Sequence, residues 1–348
     1  MKPQAEAVQE TASPARMTAS QRRTLAKSTM RKTMPKDPRI GALRRFAASI
    51  TILNVVGHSV LGFEQSWAQL LFAVLTAWGI EIVLELVEST TKQRPTPLRG
   101  GLKQAIDYLL PAHITGLAIV MLLYANDRFA PIFFAIAVAL VSKRLLQIPI
   151  GRSRRHFLNP SNTGLVVTLF LMPSIGVAPP YQFTHYLHGT WDIALPALIV
   201  MPGTMLAMLL TKKLPLILAW VGTFGLQALV RGVVFDISPL PALAAMTSVV
   251  FVLFTLYMLP DPGTTPMSIR GQVAFGASVA AIYGVLMGLH IIFALFLALL
   301  IVCSFRGAYL ALRAAQAGTL TDPLPVPVRA PAVPTTTTAS SITSHDAR

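Results

Sequence analysis

Hydrophobic and polar positions along this chain fall into long blocks, not into short alternations. Its apolar runs are roughly 17–22 residues long, the length of helices that cross a hydrocarbon core about 30 Å thick. The pattern predicts ten spans, at 46–63, 67–87, 107–125, 129–148, 162–178, 192–211, 214–233, 240–259, 271–289 and 290–310. The alternating segments of a membrane barrel are missing from the pattern. An all-α polytopic bundle is therefore expected, because helices satisfy their own backbone groups in lipid. Residues 1–42 are polar and basic, lack the apolar core of a secretion signal, and read as a disordered tail able to lie on anionic lipid. Residues 313–348 are rich in Pro, Thr and Ser and read as a second disordered tail. A single transmembrane domain over 43–312 lies between them.

Composition fixes the solvent. The 348 residues are 53% hydrophobic and 12% charged, with mean hydropathy +0.60, whereas soluble chains carry about 25% charged residues. The net charge of +15 raises nucleic acid as a partner, but its distribution argues against it. With the N-terminus placed in the cytoplasm, 27 of the 29 Lys and Arg fall on the inner side. Only Arg128 and Arg231 fall outside. That asymmetry is the positive-inside rule and puts both termini in the cytoplasm. No aromatic-interleaved basic groove accompanies the charge, so the lipid bilayer, not nucleic acid, is the expected partner. One cysteine, Cys303, excludes a disulfide framework and a cysteine-ligated metal or iron–sulfur site within this chain. No metal site is expected.

Several polar residues interrupt the apolar pattern. Glu81 and Glu85 in WGIEIVLELVE lie one helical turn apart near the end of the second span. Carboxylates in hydrocarbon cost several kcal/mol, so the pair reads either as part of an ion path or as a charged face at the interface. His58 and His113 fall toward opposite ends of their spans, which favours hydrogen bonds between helices over haem ligation. His185 and His188 belong to an aromatic-rich outer loop. The segments NPSNTG at 159–164 and DPGTTP at 261–266 form a pair. Each follows an apolar span, places Asn or Asp before proline, and continues with small polar residues. Proline removes a backbone donor and turns its predecessor away from helix. Paired polar breaks of this kind suggest an internal repeat with a site at the breaks. The alternative is a pair of turns with Asn159 and Asp261 as helix N-caps.

These motifs carry a resemblance. RRFAASITILNVVGHSVLGFEQSWAQ, DYLLPAHITGLAIVMLLYANDR, RRHFLNPSNTGLVVTLFL, GVAPPYQFT and the DPGTTP region together span about residues 43–310. They resemble the RnfD/NqrB superfamily of membrane subunits, and more specifically the RnfD-like UnbU family of enediyne biosynthesis clusters. The resemblance implies a ten-helix, flavin-linked subunit of a bacterial plasma membrane, working with other redox subunits or with biosynthetic enzymes. It also implies flavin mononucleotide (FMN) as cofactor, set against Asn159, Ser161, Asn162, Thr163, Asp261, Thr264 and Thr265. Arg154, Arg155 and Arg270 would offer charge to its phosphate, and Glu81 and Glu85 would be ion-path carboxylates. In that superfamily the flavin is esterified to threonine in an SGAT-type motif, which this chain lacks. The nearest pieces are Pro202-Gly203-Thr204 and Pro262-Gly263-Thr264-Thr265.

Three functions follow as expectations: a flavin-linked electron-transfer or ion-coupled subunit, a permease exporting a natural product or its precursor, and a membrane scaffold for biosynthetic enzymes. No Walker loop, dinucleotide fingerprint, nucleophile elbow or HExxH is present, so catalysis by this chain alone is not expected.

Overall fold

The computed structural model describes residues 38–59, 63–150, 153–178 and 212–318, with a few positions between 189 and 194. The described residues are mostly helical. Helix α1 spans Pro38–Ser59, α2 Trp67–Thr91, α3 Leu102–Leu122, α4 Ala130–Leu145 and α5 Pro160–Leu171. Helix α6 spans Leu214–Val234, α7 Leu240–Ala244, α8 Val249–Leu253, α9 Ile269–Gly288 and α10 Ala294–Gln316. Five of these, α2, α3, α6, α9 and α10, are long and apolar enough to cross a membrane. Leu71, Leu75 and Val83 on α2 are exposed, as expected of a face turned to lipid.

The helix ends follow local chemistry. Ser66 and Gln69 form a reciprocal capping box at the start of α2. Asn159 caps α5, with Pro160 in its first turn, where a missing N–H costs nothing. Ser268 caps α9 by accepting from Gly271 N. Glycines bring the helices together: a Cβ on Gly164 of α5 would fall 2.2 Å from Ala135 O of α4. Gly276 of α9 meets Leu216 O of α6 at 2.4 Å in the same sense, and Gly116 of α3 meets Ala73 O of α2 at 2.9 Å. Such close approach substitutes for the hydrophobic drive that lipid does not supply. An aromatic cluster of Trp220, Phe224, Phe251, Phe254 and Tyr283 fills the space between α6, α8 and α9.

Several expected spans take a different form. The expected span 162–178 is a helix only to Leu171. It then turns back as strand β4, Gly176–Val177, paired antiparallel with β1, Leu123–Tyr124. The expected span 129–148 ends at Leu145, and the chain enters a hairpin of β2, Gln147–Ile150, and β3, Ser153–His156. The expected span 240–259 is broken into α7, a 3-10 turn, α8 and a π turn over Phe254–Met258. Leu259 N donates to Phe254 O, a hydrogen bond one residue longer than the α-helical one. The expected span 192–211, His185, His188 and both tails lie outside the described residues.

Candidate functional site

Where the last turns of α2 meet α3, α4 and the β2–β3 hairpin, the chain forms a cleft of about 330 Å³. Helical spacing places Glu81, Glu85 and Glu88 on one face of α2, because residues three and four apart are neighbours. All three line the cleft. Tyr108 comes from α3, Lys143 and Arg144 from the end of α4, and Arg154, Arg155 and His156 from the hairpin. Gly263 of the DPGTTP segment closes one side.

Each carboxylate is held by a cation. Arg94 grips Glu85 with two hydrogen bonds of 2.7 and 2.8 Å, and Tyr108 donates a third of 2.8 Å. Arg144 reaches across from α4 to donate to Glu81 at 2.9 Å, to Glu88 at 2.6 Å and to the Tyr108 oxygen at 3.0 Å. Lys92 adds a 2.7 Å bond to Glu88. Paired guanidiniums of this kind make carboxylates tolerable in a low dielectric, at the cost of desolvating both partners. Glu81 and Glu85 thus enter a neutralised network with Arg144 and Arg94. The Oε2 of Glu81 is buried without a hydrogen-bond partner.

The balance of the lining is positive. Three carboxylates face five Lys or Arg side chains, together with His156. Lys143 makes no hydrogen bond or ion pair among the described residues, and Arg154 makes only a 3.4 Å contact to Gln147 O. An arrangement with cations to spare favours an anionic guest.

The two broken elements lie against each other beside this cleft. Asn159 accepts from Asn162 N at 3.1 Å through Oδ1, and its Nδ2 donates to Met258 O at 3.0 Å. The second bond ties the start of α5 to the π turn. Asn162 Nδ2 donates to Phe296 O at 2.9 Å, linking α5 to α10, and Thr163 Oγ1 donates to Asn159 O at 2.8 Å. Asp261 organises its own turn. Its Oδ1 accepts from Gly263 N at 3.1 Å, its Oδ2 from Thr264 Oγ1 at 3.1 Å, and its backbone oxygen from Thr265 Oγ1 at 2.7 Å. His156 Nε2 lies 3.6 Å from Asp261 Oδ2, joining this turn to the hairpin. Burial alone would push the Asp261 carboxyl up. The imidazole, the Gly263 N–H and the Thr264 hydroxyl outweigh it and hold the carboxyl below its ordinary value. Asn159 is therefore a helix cap, whereas Asp261 folds its own loop and leaves the capping of α9 to Ser268.

Asn159, Ser161, Asn162, Thr163, Thr264 and Thr265 are all buried. The hydroxyls of Thr264 and Thr265 donate to Asp261, and neither residue is part of the cleft lining. Pro202-Gly203-Thr204 lies outside the described residues. Arg154 and Arg155 line the cleft, while Arg270 is exposed in the first turn of α9 and is not part of the lining. Arg306 of α10 donates to Thr264 O at 2.7 Å, and Lys213 donates to Pro266 O at 2.5 Å. Lys213 is fully buried, and burial pushes its ammonium down to about 8. Sequence reasoning counted Arg94, Lys143 and Arg144 only as topology charges. A buried Glu pair demands buried cations, and Arg144 at the end of the adjacent long helix was available to supply one.

No protein-family model matches the chain, and no curated protein matches it. The molecule is thus defined by its own geometry as a helical membrane protein with a basic cleft beside two joined backbone breaks.

Proposed function

We propose that this protein is an RnfD-like membrane subunit whose working site is the basic cleft. There it holds an anionic ligand for flavin-linked electron or ion transfer, in the service of enediyne-type biosynthesis. The observation that carries the reading is the surplus of Lys and Arg over carboxylates in a cleft that the hairpin and Gly263 of the DPGTTP element help to line. A flavin phosphate fits this donor set without a covalent link, with Lys143, Arg154 and Arg155 as its partners. The flavin, when bound, would supply electron storage, and the chain's own part would be to hold the phosphate and fix its orientation. The test is purification in mild detergent from a host that also expresses the neighbouring genes. Flavin absorbance and a noncovalent FMN mass in the denatured eluate are expected, and their absence from a folded preparation would refute the flavin.

A second reading is favoured by the burial of Thr264 and Thr265 away from the cleft lining. In it the same cleft binds an organic anion for export, and no cofactor is needed. Deleting the gene would then lower secreted product while the intracellular pool persists. A fall in both pools would return the assignment to biosynthesis.

A further inference from the structure

A second, smaller pocket of about 120 Å³ sits at the opposite end of α2. It is bounded by the turn before α2 and by the turn that follows β1. Its carboxylates are Glu64 and Asp127, and around them stand Gln65, Gln69, Tyr124 and Asn126. No Lys, Arg or His belongs to the lining. Arg128, the nearest cation in sequence, directs its Nη1 to Ser174 Oγ at 3.1 Å.

Three observations point to a ligand. First, Glu64 and Asp127 have no ion-pair partner among the described residues, whereas Glu81, Glu85, Glu88 and Asp107 each meet an arginine. Second, the Gln65 side chain lines the pocket at 6% exposure, yet neither its Oε1 nor its Nε2 has a hydrogen-bond partner. A buried amide with both ends unpaired is costly unless something fills the gap. Third, the walls are held in place: Gln69 both closes the α2 capping box and donates through Nε2 to Asn126 O. The left-handed backbone of Asn126, at φ 49°, is a conformation that asparagine tolerates.

We propose that this pocket binds a divalent cation of the calcium type. Two carboxylates supply its charge, and the Gln65 carbonyl and the Tyr124 hydroxyl add neutral oxygens. Calcium accepts an irregular set of six to eight oxygens, with water completing the shell, while magnesium demands a near-ideal octahedron and sheds water reluctantly. Two carboxylates with no basic residue in the lining favour a divalent over a monovalent ion. The proposal does not rest on the occupant of the basic cleft.

The test is equilibrium binding of radioactive calcium to the full chain in detergent, after removal of divalent ions by chelation. One saturable site per chain is expected, with an affinity on the order of 10⁻⁴–10⁻³ M, as in open extracellular sites. Glu64→Gln with Asp127→Asn should weaken it at least about tenfold, as fewer charged ligands lower affinity. Gln65→Leu, which leaves the charge intact, should weaken it less. Monodispersity by size exclusion shows that each variant still folds. A water-filled pocket with no saturable calcium would overturn the proposal. So would calcium binding that persists in the double variant, or that sodium at equal concentration displaces.

Discussion

At its first turn α2 meets a small pocket with two carboxylates and three carboxamides. About 24 Å further along, at 1.5 Å per residue, it meets a cleft with five Lys or Arg. One helix thus carries acid at one end and base at the other, but the two ends treat their carboxylates differently. Glu81 and Glu85 are buried and tied to guanidiniums. Glu64 and Asp127 are exposed and carry no such tie. The lesson is that carboxylates in this fold are neutralised where helices pack against them and left open where only turns surround them.

The largest effect separating the two ends should come from Arg144→Met. It strips the cation from buried Glu81, leaves Glu88 to Lys92 and removes a donor to Tyr108, and should cost about 3–5 kcal/mol, the penalty for orphaning a buried charge. Thermal unfolding in detergent would show it, and a midpoint unchanged from the parent would mean that the network is solvated. Next in size is the guest. Lys143→Gln with Arg154→Gln should weaken FMN or inorganic phosphate about tenfold, near 1.4 kcal/mol, with little change in the unfolding midpoint. Isothermal titration would measure it, and undiminished affinity would move the anion site elsewhere.

Lys213 gives a smaller, pH-resolved contrast at the cleft end. Its folded value of about 8 lies below the ordinary 10.5. Between those two values the unfolded chain binds more protons than the folded one, so stability should rise with pH across that window. Below the folded value the contribution is lost. Comparing unfolding midpoints at about pH 7.5 and about pH 10 should show that rise in the parent and not in Lys213→Met. The smallest effect belongs to the acidic end. In calcium-free buffer Glu64→Gln with Asp127→Asn should shift stability by no more than about 0.5 kcal/mol, as for most surface changes. A larger loss would mean that those carboxylates are structural.

Much of the helical frame was legible because it rests on local pattern. The starts of α2 and α6 fall at the expected positions 67 and 214, and α9 begins two residues ahead of the expected 271. Asn159 as a cap was one of two readings the sequence left open, and the structure bears it out for Asn159 but not for Asp261. The hairpin was not legible, because Gln147–His156 is short and reads as a basic loop whose charge already had a topological use. The partnership of Arg144 with Glu81 was not legible either. It joins positions 63 apart, and nothing in local periodicity selects one arginine over another. The break in the expected eighth span was hidden by uniformly apolar residues, which disguise a π turn as continuous helix.

That π turn has a genetic meaning. Over Phe254–Met258 the helix accommodates one residue more than an α turn would need. It behaves as an insertion that the fold has absorbed. Removing one residue there should restore a regular helix and leave the segment downstream close to its present orientation, as an absorbed insertion implies. Met258 O should stay on the Asn159 amide and Asp261 beside His156, so the chain should tolerate a single-codon deletion in this turn that a regular helix, where each residue turns the chain by about 100°, would not.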